Sequence, residues 1–204
     1  MSDSRAIASL FIDPSRCIGC RACVHACSEC AGHGGVSMIH LDAVDPGASV
    51  QTAPTVCMHC EDPDCVSVCP ADAIKVDANG IVLSALAERC IGCGNCALAC
   101  GFGVPKIDEK KALMQKCDLC YDRTSLGSAP MCATVCPSGA LFYGTTEEIA
   151  ALRRERPQSR FTFDAELVTT RNGVLLPASI DALGVGLRSA VKTSAELQLE
   201  EAIA

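Results

Sequence analysis

The stretch CMHCEDPDCVSVCP, Cys57 to Pro70, carries four cysteines separated by two, four and three residues. Three relatives of it occur in the same chain. CIGCRACVHAC supplies Cys17, Cys20, Cys23 and Cys27, and CIGCGNCALAC supplies Cys90, Cys93, Cys96 and Cys100. CDLCYDRTSLGSAPMCATVCP supplies Cys117, Cys120, Cys132 and Cys136. Sixteen of the 17 cysteines fall in these four runs, and only Cys30 lies outside them. Repetition of this kind is read before any local structure.

Three chemistries use so many thiols. Disulfides suit small secreted domains, but the cysteine count is odd and the opening MSDSRAIASLFID has neither the basic start nor the apolar core of a signal peptide. Zinc sites assemble from two cysteine pairs. The spacing C-x2-C-x2-C-x3-C-P belongs instead to iron–sulfur cubes, and that is the leading reading, with zinc as the alternative. Cysteines three apart on a tight loop face the irons of one cube while backbone N–H groups face its sulfurs. The fourth cysteine comes about one helical turn later, points away, and ligates a second cube. The runs therefore work in reciprocal pairs.

Two runs carry insertions: Glu61 to Asp64 in the second and eleven residues between Cys120 and Cys132 in the fourth. Lengthening a surface loop costs little entropy, and such loops are read either as partner contacts or as neutral variation. Pro70 and Pro137 complete the pattern after the second and fourth runs, whereas Ser28 and Gly101 stand in its place after the first and third.

Composition agrees with an inorganic core. Only 3% of the 204 residues are aromatic and there is no Trp, yet 49% are hydrophobic, so buried cysteine sites must fill part of the interior. The formal charge is −7, to which oxidised cubes with four thiolates each add further negative charge. With no Lys/Arg-rich run, nucleic-acid binding is not expected; partners with basic patches are. No apolar stretch approaches the 18 residues of a membrane span.

Local patterns supply hairpins and helical turns. IKVD and IVLS read as strands around an Asn79-Gly80 turn, and VSMIHLDAVDPGASVQTAP reads as a second hairpin turning at Asp45-Pro46-Gly47. SGALFYG echoes ADAIKVD. After Gly144, Thr145 with Glu148 forms a capping box for a helix ended by Pro157. RFTFDAELVTT reads as a strand turned at Asn172-Gly173 towards VLLP, and Thr193 with Glu196 caps a last helix. The fold class expected is α+β: duplicated bacterial-type ferredoxin modules over residues 1–144 and a helix–hairpin–helix extension over 145–204. The extension is too short for a core of its own. It is expected to pack on the ligand region or to dock a partner.

CMHCEDPDCVSVCPADAI, CIGCGNCALACGFGVPK and KCDLCYDRTSLGSAPMCATVCPSGALFYG resemble the four-cluster iron–sulfur subunits of molybdopterin oxidoreductases, of the formate dehydrogenase and dimethyl sulfoxide, polysulfide or nitrate reductase type. The resemblance runs from about Phe11 to Gly144. It implies that outer runs pair with each other and inner runs likewise, although spacing alone also permits the first run with the second and the third with the fourth. The implied ligand sets are Cys17, Cys20, Cys23 and Cys136; Cys117, Cys120, Cys132 and Cys27; Cys57, Cys60, Cys65 and Cys100; and Cys90, Cys93, Cys96 and Cys69. Some members replace one ligand of the third run and hold a three-iron cluster. Here all four cysteines are present, so four [4Fe-4S] clusters are expected.

The implied role is electron transfer between a large catalytic molybdopterin (Mo or W) chain and a second electron donor or acceptor subunit. A hydrogenase complex and a free polyferredoxin are the alternatives. No catalytic constellation appears, so the chain is not expected to be an enzyme alone. Its expected location is cytoplasmic, peripheral to the membrane only through partners, with export beside a signal-bearing partner left open.

Around the ligands, Arg16, Arg21, Arg89, Lys106, Lys116 and Arg123 are candidates to raise cluster potentials by Coulomb attraction, Lys116 and Arg123 foremost; the plain alternative is solvated charge. Cys30 reads as a small buried hydrophobe or, less simply, an alternate ligand. His25 and His59 need not be ligands, His33 and His40 carry little information, and Phe102 and Tyr121 either shield clusters or merely pack.

Overall fold

Ser-Leu-Phe-Ile, buried at every position, forms strand β1 (Ser9–Ile12). A strand buried on both faces needs cover on both sides, and β1 sits inside a four-stranded sheet of order β6-β1-β8-β7. The computed structural model describes residues 8–44, 50–153, 157–163 and 166–175. Strand β6 (Leu141–Gly144) runs antiparallel to β1, with Leu10 opposite Tyr143. Strand β8 (Glu166–Val174) runs parallel to β1, with Phe11 opposite Gly173, and β7 (Gln158–Phe163) closes the edge. The first and last described segments thus meet across the fold.

Two small hairpins complete the strands. Strands β2 (His40–Ala43) and β3 (Thr52–Thr55) pair antiparallel; the expected turn at Asp45-Pro46-Gly47 lies outside the described residues. Strands β4 (Lys106–Asp108) and β5 (Leu113–Gln115) form a hairpin that no sequence signal announced. At Asn79-Gly80 the turn is present, with Gly80 N–H on Asp77 O at 3.1 Å and Asp77 N–H on Ile81 O at 2.9 Å, but its strands shrink to one Val76–Val82 bridge.

Helices are short. They are α1 (Ala22–Ser28), α2 (Asp64–Ser67), α3 (Asn95–Leu98), α4 (Tyr121–Thr124), α5 (Met131–Thr134) and α6 (Thr146–Arg153). Cys23, Cys65, Cys96 and Cys132, the third cysteine of each run, lie on α1, α2, α3 and α5 respectively. The capping box of α6 is formed: Thr145 N–H reaches Glu148 Oε2 at 2.8 Å and Glu148 N–H reaches Thr145 Oγ1 at 3.2 Å. Among the described residues no helix is long and apolar enough to cross a membrane.

The core follows the composition. Leu10, Ile12, Met38, Ile39, Val56 and Leu119 pack directly with Cys23, Cys27, Cys117 and Cys132, and a second centre joins Ile74, Val82 and Met114 to Cys96. Mixed helix and strand content agrees with the class expected.

One expectation is corrected. RFTFDAELVTT is two antiparallel strands, not one, and Asn172-Gly173 is no turn but lies inside β8. Asn172 is fully buried, its Oδ1 accepting from Leu10 N–H at 2.9 Å and its Nδ2 donating to Cys57 O at 2.8 Å. These tertiary partners outweigh the local turn preference of the dipeptide. The helix expected after Thr193 lies outside the described residues.

Candidate metal centres

Each ligand loop is built the same way. The residue before the second cysteine is left-handed in every run: Gly19 (φ 68°), His59 (φ 50°), Gly92 (φ 65°) and Leu119 (φ 62°). For His59 and Leu119 this conformation costs roughly 1–2 kcal/mol, held in place by full burial of both side chains. Past the fourth cysteine each loop closes with an i to i+3 bond. Cys30 N–H reaches Cys27 O (3.2 Å), Asp72 N–H reaches Cys69 O (3.1 Å), Gly103 N–H reaches Cys100 O (3.0 Å) and Gly139 N–H reaches Cys136 O (3.3 Å).

The thiols then gather in four groups. Cys17, Cys20, Cys23 and Cys136 line one pocket, although 112 residues lie between Cys23 and Cys136. Cys69, Cys90, Cys93 and Cys96 line another. Around Cys60 stand Cys57, Cys100 and Cys65; burial first, and then these neighbours, push its thiol up to about 12. Burial and then the charges of Cys120 and Cys27 push Cys132 well above the ordinary thiol value, and burial followed by Cys57 and Cys132 does the same to Cys117.

Neighbouring groups lie within electrostatic reach of one another. Cys132 feels Cys23, Cys117 feels Cys57, and Cys65 feels Cys96. Cys117 and Cys57 thus couple a group of the outer runs to one of the inner runs.

This donor set fits iron–sulfur chemistry. Thiols crowded so that several resist ionisation need a cationic centre to become thiolates together. Among the described residues no three Cys, His, Asp or Glu side chains converge as one metal ion requires. Zinc needs sulfur donors about 2.3 Å from a single ion, and the described thiols do not converge in that way. Backbone N–H groups point at the sulfurs, from Met38 to Cys27 Sγ (3.2 Å), Ala73 to Cys69 Sγ (3.3 Å), Met114 to Cys90 Sγ (3.4 Å) and Leu119 to Cys117 Sγ (3.4 Å).

Comparison with known proteins agrees. Residues 48–146 match a 4Fe-4S dicluster domain and residues 8–29 a 4Fe-4S binding domain. The iron–sulfur subunit of the nitrate-inducible formate dehydrogenase of Escherichia coli (strain K12) is 37% identical over 182 residues, covering 76% of this chain and 60% of that protein. The formate dehydrogenase iron–sulfur subunit of Wolinella succinogenes is 34% identical over 184 residues, covering 78% of this chain and 91% of that one. One polypeptide of the anaerobic dimethyl sulfoxide reductase of E. coli is 36% identical over 152 residues, covering 68% of this chain and 74% of its own length. The chain belongs to this family of iron–sulfur subunits. It spans about three-fifths of the length of the E. coli formate dehydrogenase subunits it matches, 60% and 56% of the two.

Within this iron–sulfur subunit the cations divide sharply. Lys116 is 1% exposed and its Nζ lies 3.7 Å from Cys57 Sγ. Arg123, the other foremost candidate, donates from Nε to Ala129 O at 3.1 Å and so braces its own insertion rather than a thiol. Arg89 pairs with Asp72 at 2.8 Å, Lys106 donates to Ser37 O at 3.0 Å, Arg16 reaches Ser138 O at 3.3 Å, and Arg21 is exposed.

His33, of which the sequence said little, is buried against a ligand: its Nδ1 is 3.3 Å from Cys27 Sγ and 2.7 Å from Cys27 O. The nearby Asp118 (3.7 Å) and then Cys27 raise its pKa to about 11. Burial pushes Cys27 up, but hydrogen bonds from His33 and Met38 outweigh it and hold the thiol below its ordinary value. His25 is exposed, while buried His59 accepts Val82 N–H on Nδ1 at 3.0 Å. Cys30 is buried with its Sγ 3.6 Å from Cys120 Sγ.

The C-terminal hairpin holds the second ligand loop. Glu61 N–H bonds Thr169 O (2.9 Å), while Arg171 N–H bonds His59 O (2.9 Å) and Asn172 N–H bonds Met58 O (3.1 Å). Phe102, just past Cys100, meets Phe161 and Phe163 edge to face at 5.3 and 4.9 Å.

Proposed function

We propose that this chain is the electron-transfer subunit of an oxidoreductase complex, holding four [4Fe-4S] clusters in a row. The ligand sets are Cys17, Cys20, Cys23 and Cys136; Cys117, Cys120, Cys132 and Cys27; Cys57, Cys60, Cys65 and Cys100; and Cys90, Cys93, Cys96 and Cys69. The observation that carries this reading is the crossed gathering of the thiols: Cys136 lines the pocket of Cys17, Cys20 and Cys23, and Cys69 lines that of Cys90, Cys93 and Cys96. A bound [4Fe-4S] cluster accepts and releases single electrons.

The chain's own residues do the rest. Four αL loops hold the sulfurs at set positions, backbone N–H groups stabilise thiolate charge, and Met38, Leu119, Ile74 and Met114 keep water out. The repeated loop geometry supports duplicated ferredoxin-like modules over residues 1–144. Residues 145–204 are the extension: their described part braces the Cys57 loop, and we read the extension as a docking region for a partner.

The two ends of the row are the open ones. Cys20 and Cys93 are exposed, and beside them Ile18 and Ile91 are 67% and 64% exposed. We read these apolar tips as the places where a catalytic molybdopterin chain and a second redox subunit approach, in the cytoplasm or at the membrane through those partners.

Anaerobic purification of the native protein at moderate salt tests the reading. The expected result is a brown complex with a stoichiometric large chain and about sixteen irons, with matching acid-labile sulfide, per copy of this subunit. A colourless zinc protein, or a stable lone monomer, overturns it.

A further inference from the structure

Lys116 is the largest fully buried side chain of the described protein. Its place is set by Ser84, whose hydroxyl donates to Lys116 O at 2.8 Å and accepts from Lys116 N–H at 3.3 Å. The Nζ atom donates to Val82 O, to Cys117 O at 2.9 Å and to Cys57 Sγ at 3.7 Å. Three acceptors around one nitrogen use all three N–H donors of an ammonium group, which has no acceptor site of its own. A neutral amine has one donor too few.

A buried charge is costly unless paired. Among the described residues no carboxylate lies within ion-pair distance of this ammonium group. Its nearest sulfur is Cys57 Sγ, its field acts on the Cys117 thiol beside it, and the Asp118 carboxylate and the His59 ring lie within its electrostatic reach. Its field also acts on Cys65.

Resting on the electron-transfer reading above, we propose that Lys116 is the counter-charge of the middle of the row. It raises the reduction potentials of the two central centres, at Cys57, Cys60, Cys65 and Cys100 and at Cys117, Cys120, Cys132 and Cys27, relative to the two ends. The reason is Coulombic: a cation in a low-dielectric site favours the more negative, reduced state. An electron entering from either end is then drawn towards the junction between inner and outer sets.

The test uses the full chain in its native complex, with K116M and K116Q removing the charge and K116R keeping it. Iron and sulfide are counted first, and midpoint potentials follow by redox titration with electron paramagnetic resonance detection. With iron retained, the charge-removing variants are expected to weaken reduction of at least one central centre tenfold or more, about 59 mV for a one-electron couple. The two end centres stay where they were, and K116R keeps the wild-type order. If K116M does not assemble, K116Q, whose neutral amide keeps two N–H donors, makes the same measurement. Full iron with unmoved central potentials overturns the role of Lys116 alone; a wild-type protein without clusters overturns the functional reading beneath it.

Discussion

Cys136 is where crossed ligation stands or falls, because it lies four residues beyond Cys132 in sequence yet lines the pocket of Cys17, Cys20 and Cys23. C136A is therefore expected to damage the first-run centre and leave that of Cys117, Cys120 and Cys132 intact. Adding C23A should harm no further centre, while adding C120A should harm a second. Iron content with electron paramagnetic resonance of the reduced variants reads the outcome; the reverse pattern of additivity refutes the assignment. At this scale the four cysteine runs stand out in the sequence because ligand spacing is a local property, whereas their crossed pairing is what C136A tests. Lys116 was legible only as a cation beside Cys117, its contact with Cys57 being made across 59 residues. His33 was not legible at all: its partners Cys27 Sγ and Asp118 come together only when α1 and the fourth run are folded, and nothing in the surrounding Gly-rich stretch marks it.

Between residue and fold stand the hairpins that hold the loops. The β4–β5 hairpin escaped sequence reading because its strands are three residues each and its turn, Glu109 to Ala112, lacks an Asn-Gly or Asp-Gly pair. The reverse error at Asn172-Gly173 has the same root, since such a dipeptide turns the chain only where nothing distant claims it. The capping box of α6 was read correctly because both of its partners are local. Besides the Met114 N–H bond to Cys90 Sγ, a close backbone approach ties the β4–β5 hairpin to the third ligand loop. A Cβ on Gly92 (φ +65°) would stand 3.0 Å from the backbone C, Cα and O of Ala112, whereas one on Gly80 (φ +76°) would meet open space. G80A thus carries only the left-handed cost of roughly 1–2 kcal/mol. G92A adds a clash with backbone that cannot swing aside. In thermal scans at one fixed rate, following visible absorbance, G92A is expected to lose its cluster signal at a clearly lower temperature than G80A, and first from the centre at Cys90, Cys93 and Cys96. Equal midpoints would show that the hairpin does not press on this loop.

Across the whole molecule, protection is graded along the row. The end groups each contain an exposed cysteine, Cys20 and Cys93, whereas Cys27, Cys117, Cys120 and Cys132 are all buried, and the Cys57 loop is covered by β8. Solvent and chelator reach a ligand only where the chain leaves a path, or where it opens locally. The sheet makes opening at the centre expensive, since β1 and β8 join the two ends of the described chain through Asn172, Leu10 and Cys57. Anaerobic iron removal by a strong chelator after mild oxidation is accordingly expected in two phases. About half of the iron leaves quickly from the two end centres and the rest slowly. Electron paramagnetic resonance of samples quenched between the phases should show the central pair surviving, still coupled magnetically to each other. A single phase, or loss beginning at the centre, would mean that burial in the isolated subunit does not decide which cluster meets the solvent. The apolar tips at Ile18 and Ile91 would then lose their standing as the approaches to the row. Binding of the proposed catalytic chain sharpens the same experiment, because the end it covers should pass from the fast phase to the slow one and so identify which tip it occupies.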